Sequence, residues 1–345
     1  MNHHALESTA RALAAPGKGI LAADESLPTL AKRFKSIDVE PSEENRRAYR
    51  ELLFTTAGLN EGISGVILFE ETIRQKTADG RSFVEVLNEA GIIPGVKVDK
   101  GLAPLAGFEG EKITEGMDGL RERLAEFARL GARFTKWRAV ITIGDGIPTR
   151  ACLESNAHLL ARFAALSQEA GLVPIVEPEV LMDGTHPIQR HGDVTGAALD
   201  AVFQALREHQ VHLEGMLLKP NMVLSGKDCP ERAGTDEVAA ATLGCMRRHV
   251  PAAVPGLMFL SGGQGDVEAT ANLNALNRLG GNPWELSFSY GRALQSSALK
   301  AWAGKTETIH SAQRLLRHRA VCNSAARSGT YSAAMEAAAS RTPVF

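Results

Sequence analysis

The sequence predicts an α/β fold, a (β/α)8 barrel in a single domain. Two observations carry the prediction. Eight short apolar runs alternate with amphipathic helical stretches, and most of the runs end in ionisable side chains. An open doubly wound sheet would use the same local pattern. The count of eight, and polar chemistry at so many strand ends, favour the barrel, whose functional face gathers residues from several strands.

Taken in order, the first run is GKGILAAD (17–24), followed at 42–57 by a helical stretch. There Ala48, Leu52, Leu53 and Thr56 share a side, behind Ser42 and two acids suited to a helix start. SGVILFEE (64–71) and IIPGVKVDK (92–100) are the second and third runs. Residues 116–130 align Met117, Leu120, Leu124, Phe127 and Ala128, with Gly131 placed to end the helix. ARFTKWRAVI (132–141) follows, and 152–170 repeat the helical pattern with Leu153, Ala157, Leu160 and Ala164. LVPIVEPEV (172–180), a helix over 194–208, EGMLLKPNM (214–222) and a helix over 236–249 continue the alternation. GLMFLSGG (256–263), a weaker helix over 267–279 and ELSFSYGR (285–292) complete it, and 293–327 hold two further helices. Many runs are entered through Gly and left through polar residues, Gly or Pro, as buried parallel strands are.

No linker or low-complexity segment marks a second domain. The organisation predicted is a barrel over 1–328 with an N-terminal helical extension, and a mobile tail over 329–345. Across 345 residues, 44% are apolar and 23% charged, with a formal net charge of -2, which gives no electrostatic case for nucleic acid or an anionic membrane. No stretch approaches the 18 apolar residues of a membrane span, and the first 20 residues lack a secretory apolar core. Cys152, Cys229, Cys245 and Cys322 show no C-x-x-C spacing. Reduced thiols and a cytoplasmic protein are expected.

The polar residues at the run ends include Asp24, Lys97, Asp99, Lys136, Arg138, Glu177, Glu179, Lys219, Ser261 and Arg292. A period of two puts Lys136 with Arg138, and Glu177 with Glu179, on common faces. Charged groups at the end of a hydrophobic strand are paired or used. Lys219 follows Met216, Leu217 and Leu218, and Pro220 ends its strand. An apolar surround and a neighbouring Lys136 would disfavour its ammonium form and make it a nucleophile for a carbonyl. A lysine salt-bridged at the barrel rim reads the same way. Glu177 and Glu179 suit proton transfer with Lys136, or a structural salt bridge. Asp24 could orient a lysine, or cap the next helix. Ser261-Gly262-Gly263 closes the seventh run and Ser289-Tyr290-Gly291-Arg292 the eighth, where barrels frequently bind phosphate. Arg33 and Lys97 could hold a second phosphate, although a solvated helix face also explains Arg33. Among ten histidines only His186 and His191 are candidate ligands. A metal needs about three converging side chains, and no metal or cofactor is expected.

The segments LAADES (21–26), EENRRAYR (43–50), GVILFEET (65–72), GVKVDKG (95–101), KWR (136–138), VPIVEPE (173–179), LEGMLLKPNMV (213–223), FLSGGQ (259–264) and SFSYGRALQSSALKAW (287–302) closely resemble class I fructose-bisphosphate aldolase. The resemblance runs over roughly residues 6–328. It implies a (β/α)8 barrel, usually a homotetramer, that cleaves fructose 1,6-bisphosphate through a lysine Schiff base. By position it implies Lys219 as the Schiff-base residue and Glu177 as acid–base. Glu179 would hold Lys136, Lys136 would assist proton transfer, and Asp24 would orient the lysine and help break C3–C4. It also implies Ser261, Gly262, Gly263, Ser289, Gly291 and Arg292 at the C1 phosphate. Ser26, Arg33 and Lys97 would bind the C6 phosphate, and Arg138 the sugar chain. Two departures stand out. Leu27-Pro28-Thr29 replaces a Gly-Ser turn, predicting a restricted loop. The tail ends in Phe345 where animal members have tyrosine, predicting weaker discrimination between the bisphosphate and fructose 1-phosphate. Another Schiff-base barrel lyase, or a phosphosugar-binding scaffold without catalysis, are the alternatives.

Overall fold

The structure, a computed structural model, describes residues 2–340. Its strands are β1 (Gly19–Ala23), β2 (Ile63–Leu68), β3 (Ile93–Lys97), β4 (Gly101–Pro104), β5 (Lys112–Glu115), β6 (Phe134–Ile141), β7 (Val173–Val180), β8 (Leu217–Leu218), β9 (Gly256–Phe259) and β10 (Glu285–Tyr290). Its helices are α1 (His3–Leu13), α2 (Leu27–Lys35), α3 (Glu43–Phe54), α4 (Phe83–Glu89), α5 (Leu120–Arg129), α6 (Arg150–Glu169), α7 (Ile188–Glu208), α8 (Thr235–His249), α9 (Asp266–Leu279), α10 (Arg292–Trp302) and α11 (Ile309–Arg327). Eight strands close a parallel barrel in the order β1-β10-β9-β8-β7-β6-β3-β2. Each of the eight predicted runs supplies one of them.

Element boundaries follow local chemistry. The shortest strand is β8: its run narrows to two residues because Pro220 has no N–H to donate. The ladder still continues through Lys219 N–H to Val176 O at 2.8 Å. The helix expected over 116–130 starts only at Leu120, since Gly116 and Gly119 have φ of 127° and 63°. Ala303 and Gly304, also at positive φ, divide α10 from α11. The segment Leu27-Pro28-Thr29 is the first turn of α2, with Ser26 as its N-cap, and not a restricted loop. Proline fits the first helical turn because its fixed φ is already helical. Helix α4 and the β4–β5 hairpin were not foreseen; neither contains a periodic apolar signal strong enough to read alone.

Strand alternation sorts the core into two layers. Ile20, Ala22, Ile67, Phe134, Val173, Ile175, Leu217 and Met258 form an inner cluster, while Leu21, Ala23, Trp137, Val176 and Leu218 pack outward under the helices. Phe134 fills the barrel's middle because Gly95 faces it: a Cβ there would collide with the ring. Leu6, Ala10 and Leu13 of α1 join the inner cluster, so this helix closes the N-terminal end of the barrel. At the other end of the chain, Ala333–Ser340 form a 3-10 segment, and Arg319 holds Glu336. Phe345 lies outside the described residues. No described helix is long and apolar enough to cross a membrane.

Candidate active site

The same alternation builds the site. Each inward row is apolar low in the barrel and charged above: Ile20 and Ala22 lead to Asp24, Phe134 to Lys136 and Arg138, Ile175 to Glu177 and Glu179, and Leu217 to Lys219. Parallel register sets Lys97 beside Lys136, and Arg138 beside Glu177. The polarity switch seen along each strand is therefore a charged layer across the barrel.

Four side chains form a continuous chain in this layer. Asp24 Oδ2 lies 2.6 Å from Lys136 Nζ, which lies 3.1 Å from Glu177 Oε2. Glu177 Oε1 lies 3.1 Å from Lys219 Nζ. Lys136, Glu177 and Lys219 are buried, and with Asp24 the chain sets two carboxylates against two lysines. Burial would raise the Glu177 carboxyl, but Lys136, Lys219 and Arg138 outweigh it and hold it below the ordinary value. Asp24 behaves alike: burial opposes its charge, and Lys136, Lys219 and Lys97 win. Burial would likewise neutralise Lys136, yet Asp24, Glu177 and Asp99 keep it charged and raise its pKa. Glu177 Oε2 has charge contact with Lys136 but no aligned hydrogen bond, so a lone pair is left for a proton.

Two pairings differ from expectation. Glu179 holds Arg138, at 2.5 Å, and not Lys136. Glu179 stands one pleat above Glu177, the register partner of Arg138, and the long guanidinium reaches up to it, whereas Lys136, one pleat below Arg138, meets Asp24 and Glu177. Asp24 accordingly pairs with Lys136 rather than Lys219, and it is Ser26, not Asp24, that stands at the N-cap position of the next helix. The group touching Lys219 is the Glu177 carboxylate, and Lys136 stands on the other side of it.

Above this layer lie the anion-binding candidates. Arg292 Nη2 donates to Gly262 O, tying the β10 end to the β9 loop. Gly262 has φ of 57°, which favours glycine, and a side chain on Gly263 would displace the Met182 thioether. Ser261 is buried beside them, and the buried Ser289 Oγ has no hydrogen-bond partner among the described residues. Lys97 pairs with Asp99 at 3.1 Å. Ser26 Oγ meets Thr29 Oγ1 at 3.0 Å. Arg33 Nη1 is on Glu25, and its Nη2 is 3.8 Å from where a Cβ on Gly291 would stand.

The histidine candidates do not converge on a ligand set. His186 and His191 stack with ring centroids 5.3 Å apart, and both nitrogens of His191 are engaged, by Val180 O and by Leu224 N–H. Elsewhere His318, Cys322 and Glu336 come together, but Glu336 is occupied by Arg319 and Tyr331. A hollow of about 550 Å³ between α5 and α6, lined by Arg121, Arg162 and His209, contains no strand-end residue. Sequence reading missed Glu25, Arg50 and Gln295. Arg50 beside Tyr49 and Leu52, in a helix packed on the barrel, was the available signal.

The model of the family described as fructose-bisphosphate aldolase class-I matches residues 5–345. The chain belongs to this family. It is 57% identical to a probable class 1 fructose-bisphosphate aldolase of Xanthomonas axonopodis pv. citri, covering 96% of this chain and 99% of the relative. A fructose-bisphosphate aldolase of Dictyostelium discoideum is 54% identical, over 94% of this chain and 92% of its own. A cytosolic aldolase of Arabidopsis thaliana is 55% identical, over 94% and 83%. The solved aldolase of Plasmodium falciparum superposes with a TM-score of 0.95 at 50% identity, covering 96% of each chain. The barrel is thus an aldolase barrel, and its reaction is the reversible cleavage of fructose 1,6-bisphosphate into dihydroxyacetone phosphate and glyceraldehyde 3-phosphate.

Proposed function

We propose that this aldolase works through a Schiff base on Lys219, with Glu177 moving the protons. The observation that carries the reading is the Glu177 carboxylate, held ionised between Lys136 and Lys219 and 3.1 Å from each. Glu177 accepts a proton from Lys219, and the free amine attacks the C2 carbonyl of the sugar phosphate. The carbinolamine formed loses its hydroxyl as water, with a proton returned by Glu177, leaving a protonated imine. Removal of the C4 hydroxyl proton, assisted by Asp24, breaks the C3–C4 bond. The bonding electrons move into the imine as an enamine, and the aldehyde leaves. Lys136 keeps both carboxylates ionised and placed, Glu179 holds Arg138 toward the sugar chain, and Arg138 binds it. The β9 and β10 loops receive the C1 phosphate through Ser261, Gly262, Gly263, Ser289, Gly291 and Arg292, and Lys97 and Ser26 the C6 phosphate. Remote phosphate binding positions the bond to be cleaved.

Borohydride reduction with dihydroxyacetone phosphate in excess EDTA, then peptide mapping, tests this. A reduced adduct on Lys219 is expected; full activity with no adduct there removes Lys219 as the nucleophile, and loss of cleavage in EDTA removes the metal-free route. The proposal extends to a cytoplasmic homotetramer, supported by the family resemblance and by the cytosolic plant relative. Sedimentation at the mass of a single chain would contradict the tetramer.

A further inference from the structure

One cluster of ligand-type side chains lies outside the charged layer of the barrel. His318 and Cys322 stand one turn apart on α11, which puts both on one face of the helix. Glu336 reaches the same place from the 3-10 segment Ala333–Ser340. His318 Nε2 is 3.5 Å from Cys322 Sγ and 3.8 Å from Glu336 Oε2. One ligand atom from each of the three lies within 4.8 Å of the others. A tetrahedral zinc ion, with bonds of about 2.0–2.3 Å, sets its ligand atoms roughly 3.4–3.6 Å apart. The two separations given for His318 lie within a few tenths of an ångström of those edges.

The donor set also suits zinc. Thiolate and imidazole favour it, whereas magnesium and calcium take oxygen ligands. Cys322 is fully buried, but the side chains of His318 and Glu336 are 18% and 25% exposed, so an ion can enter from the surface. Burial pushes the Cys322 thiol up to about 11, and it keeps its proton until a metal displaces it. Glu336 is held from behind as a ligating carboxylate commonly is. Its Oε1 accepts from Tyr331 Oη–H at 2.7 Å and from Arg319 Nη1 at 2.6 Å. The same Nη1 also spans to Oε2, while Arg319 Nη2 is tied to Asp266 O and Thr270 Oγ1 on α9. A small shift of Nη1 onto Oε1 alone frees Oε2, with Tyr331 and Arg319 kept as outer partners. A latch made by arginine and carboxylate needs neither the imidazole nor the thiol beside it.

We propose that His318, Cys322 and Glu336 form a zinc site, its fourth position open to water, that fastens the segment Ala333–Ser340 to α11. Binding forms one bond each from Nε2, Sγ and Oε2 to zinc and releases the thiol proton to solvent, with no change of oxidation state. The site contains no strand-end residue and takes no part in the cleavage reaction.

The full-length protein, stripped with a chelator under reducing conditions, is titrated with Zn²⁺ and with Co²⁺ as its spectroscopic stand-in. One ion per chain is expected, with a thiolate-to-cobalt charge-transfer band that Cys322→Ser abolishes. His318→Ala and Glu336→Gln should each weaken zinc by about tenfold or more. Zinc should raise the thermal midpoint of the wild type but not that of Glu336→Gln, because only the wild type is fastened. A cobalt band that survives Cys322→Ser overturns the proposal, since the ion then sits on another thiol. So does zinc affinity within twofold of wild type in His318→Ala or in Glu336→Gln, or a zinc-dependent midpoint that Glu336→Gln retains. Should Cys322→Ser not fold, loss of the cobalt band in His318→Ala, at a partly exposed position, supports the site, and an unchanged band there overturns it.

Discussion

At the scale of the residue, the site is a chain of ion pairs in which Asp24 and Glu177 face Lys136, and Glu177 faces Lys219. Among the described residues, Glu177 is the one group that forms an ion pair with both lysines. Glu177→Gln should lower kcat by about 10²- to 10⁴-fold, the range for a lost acid–base group, while imine trapping on Lys219 persists at a reduced rate. Stopped-flow turnover alongside borohydride trapping checks this, and an unchanged kcat removes Glu177 from the mechanism. The sequence made the identities of these residues legible, because Lys136, Glu177 and Lys219 each break an apolar run. It did not reveal the partners. Glu177 and Glu179 look equivalent in a string, and only their heights in the barrel send one to the lysines and the other to Arg138. Glu25 and Arg50 were equally unreadable, since their pairing joins two elements 25 residues apart.

At the scale of the element, strands were easier to read than their connections. A continuous apolar run is a local property, and all eight barrel strands had one. Helix α2 was lost because Pro28 suggests a break, although at a helix start it is favourable. Helix α1 shows the opposite case: a short amphipathic piece whose importance lies in what it touches. Leu13 is fully buried against the barrel's lower end, in contact range of Gly65. Leu13→Ala should cost about 2–5 kcal/mol, as for other buried leucines replaced by alanine. A denaturant titration gives the number, and a loss below about 1 kcal/mol would mean that α1 packs loosely.

At the scale of the whole molecule, buried carboxylates tie stability to pH. Asp24, Glu25 and Glu177 are all held below their ordinary values in the folded state; burial opposes this, and the neighbouring lysines and arginines outweigh it. The unfolded chain therefore takes up protons first on acidification. Their contribution is complete above the ordinary carboxylate range and is lost as pH falls toward the folded values. Stability should be flat down to about pH 5 and decline below it. Lys136 has the reverse sign, contributing fully below the ordinary lysine value and losing that support only at strongly alkaline pH. Denaturant midpoints at pH 7 and pH 4 should differ less in Glu25→Gln than in wild type. Equal differences would show that Glu25 does not titrate with folding.

The closure of the barrel's lower end by α1 makes the molecule a cup and not a tube. Beneath the charged layer Phe134, Val173, Ile175 and Leu217 leave no wet path downward. On the Schiff-base route proposed above, water released in forming the imine, and the water needed to hydrolyse it, would pass the rim that the phosphates also cross. On that route the substrate is its own stopper: with both phosphates seated the imine would face little bulk solvent, and the order in which products leave would decide when water returns.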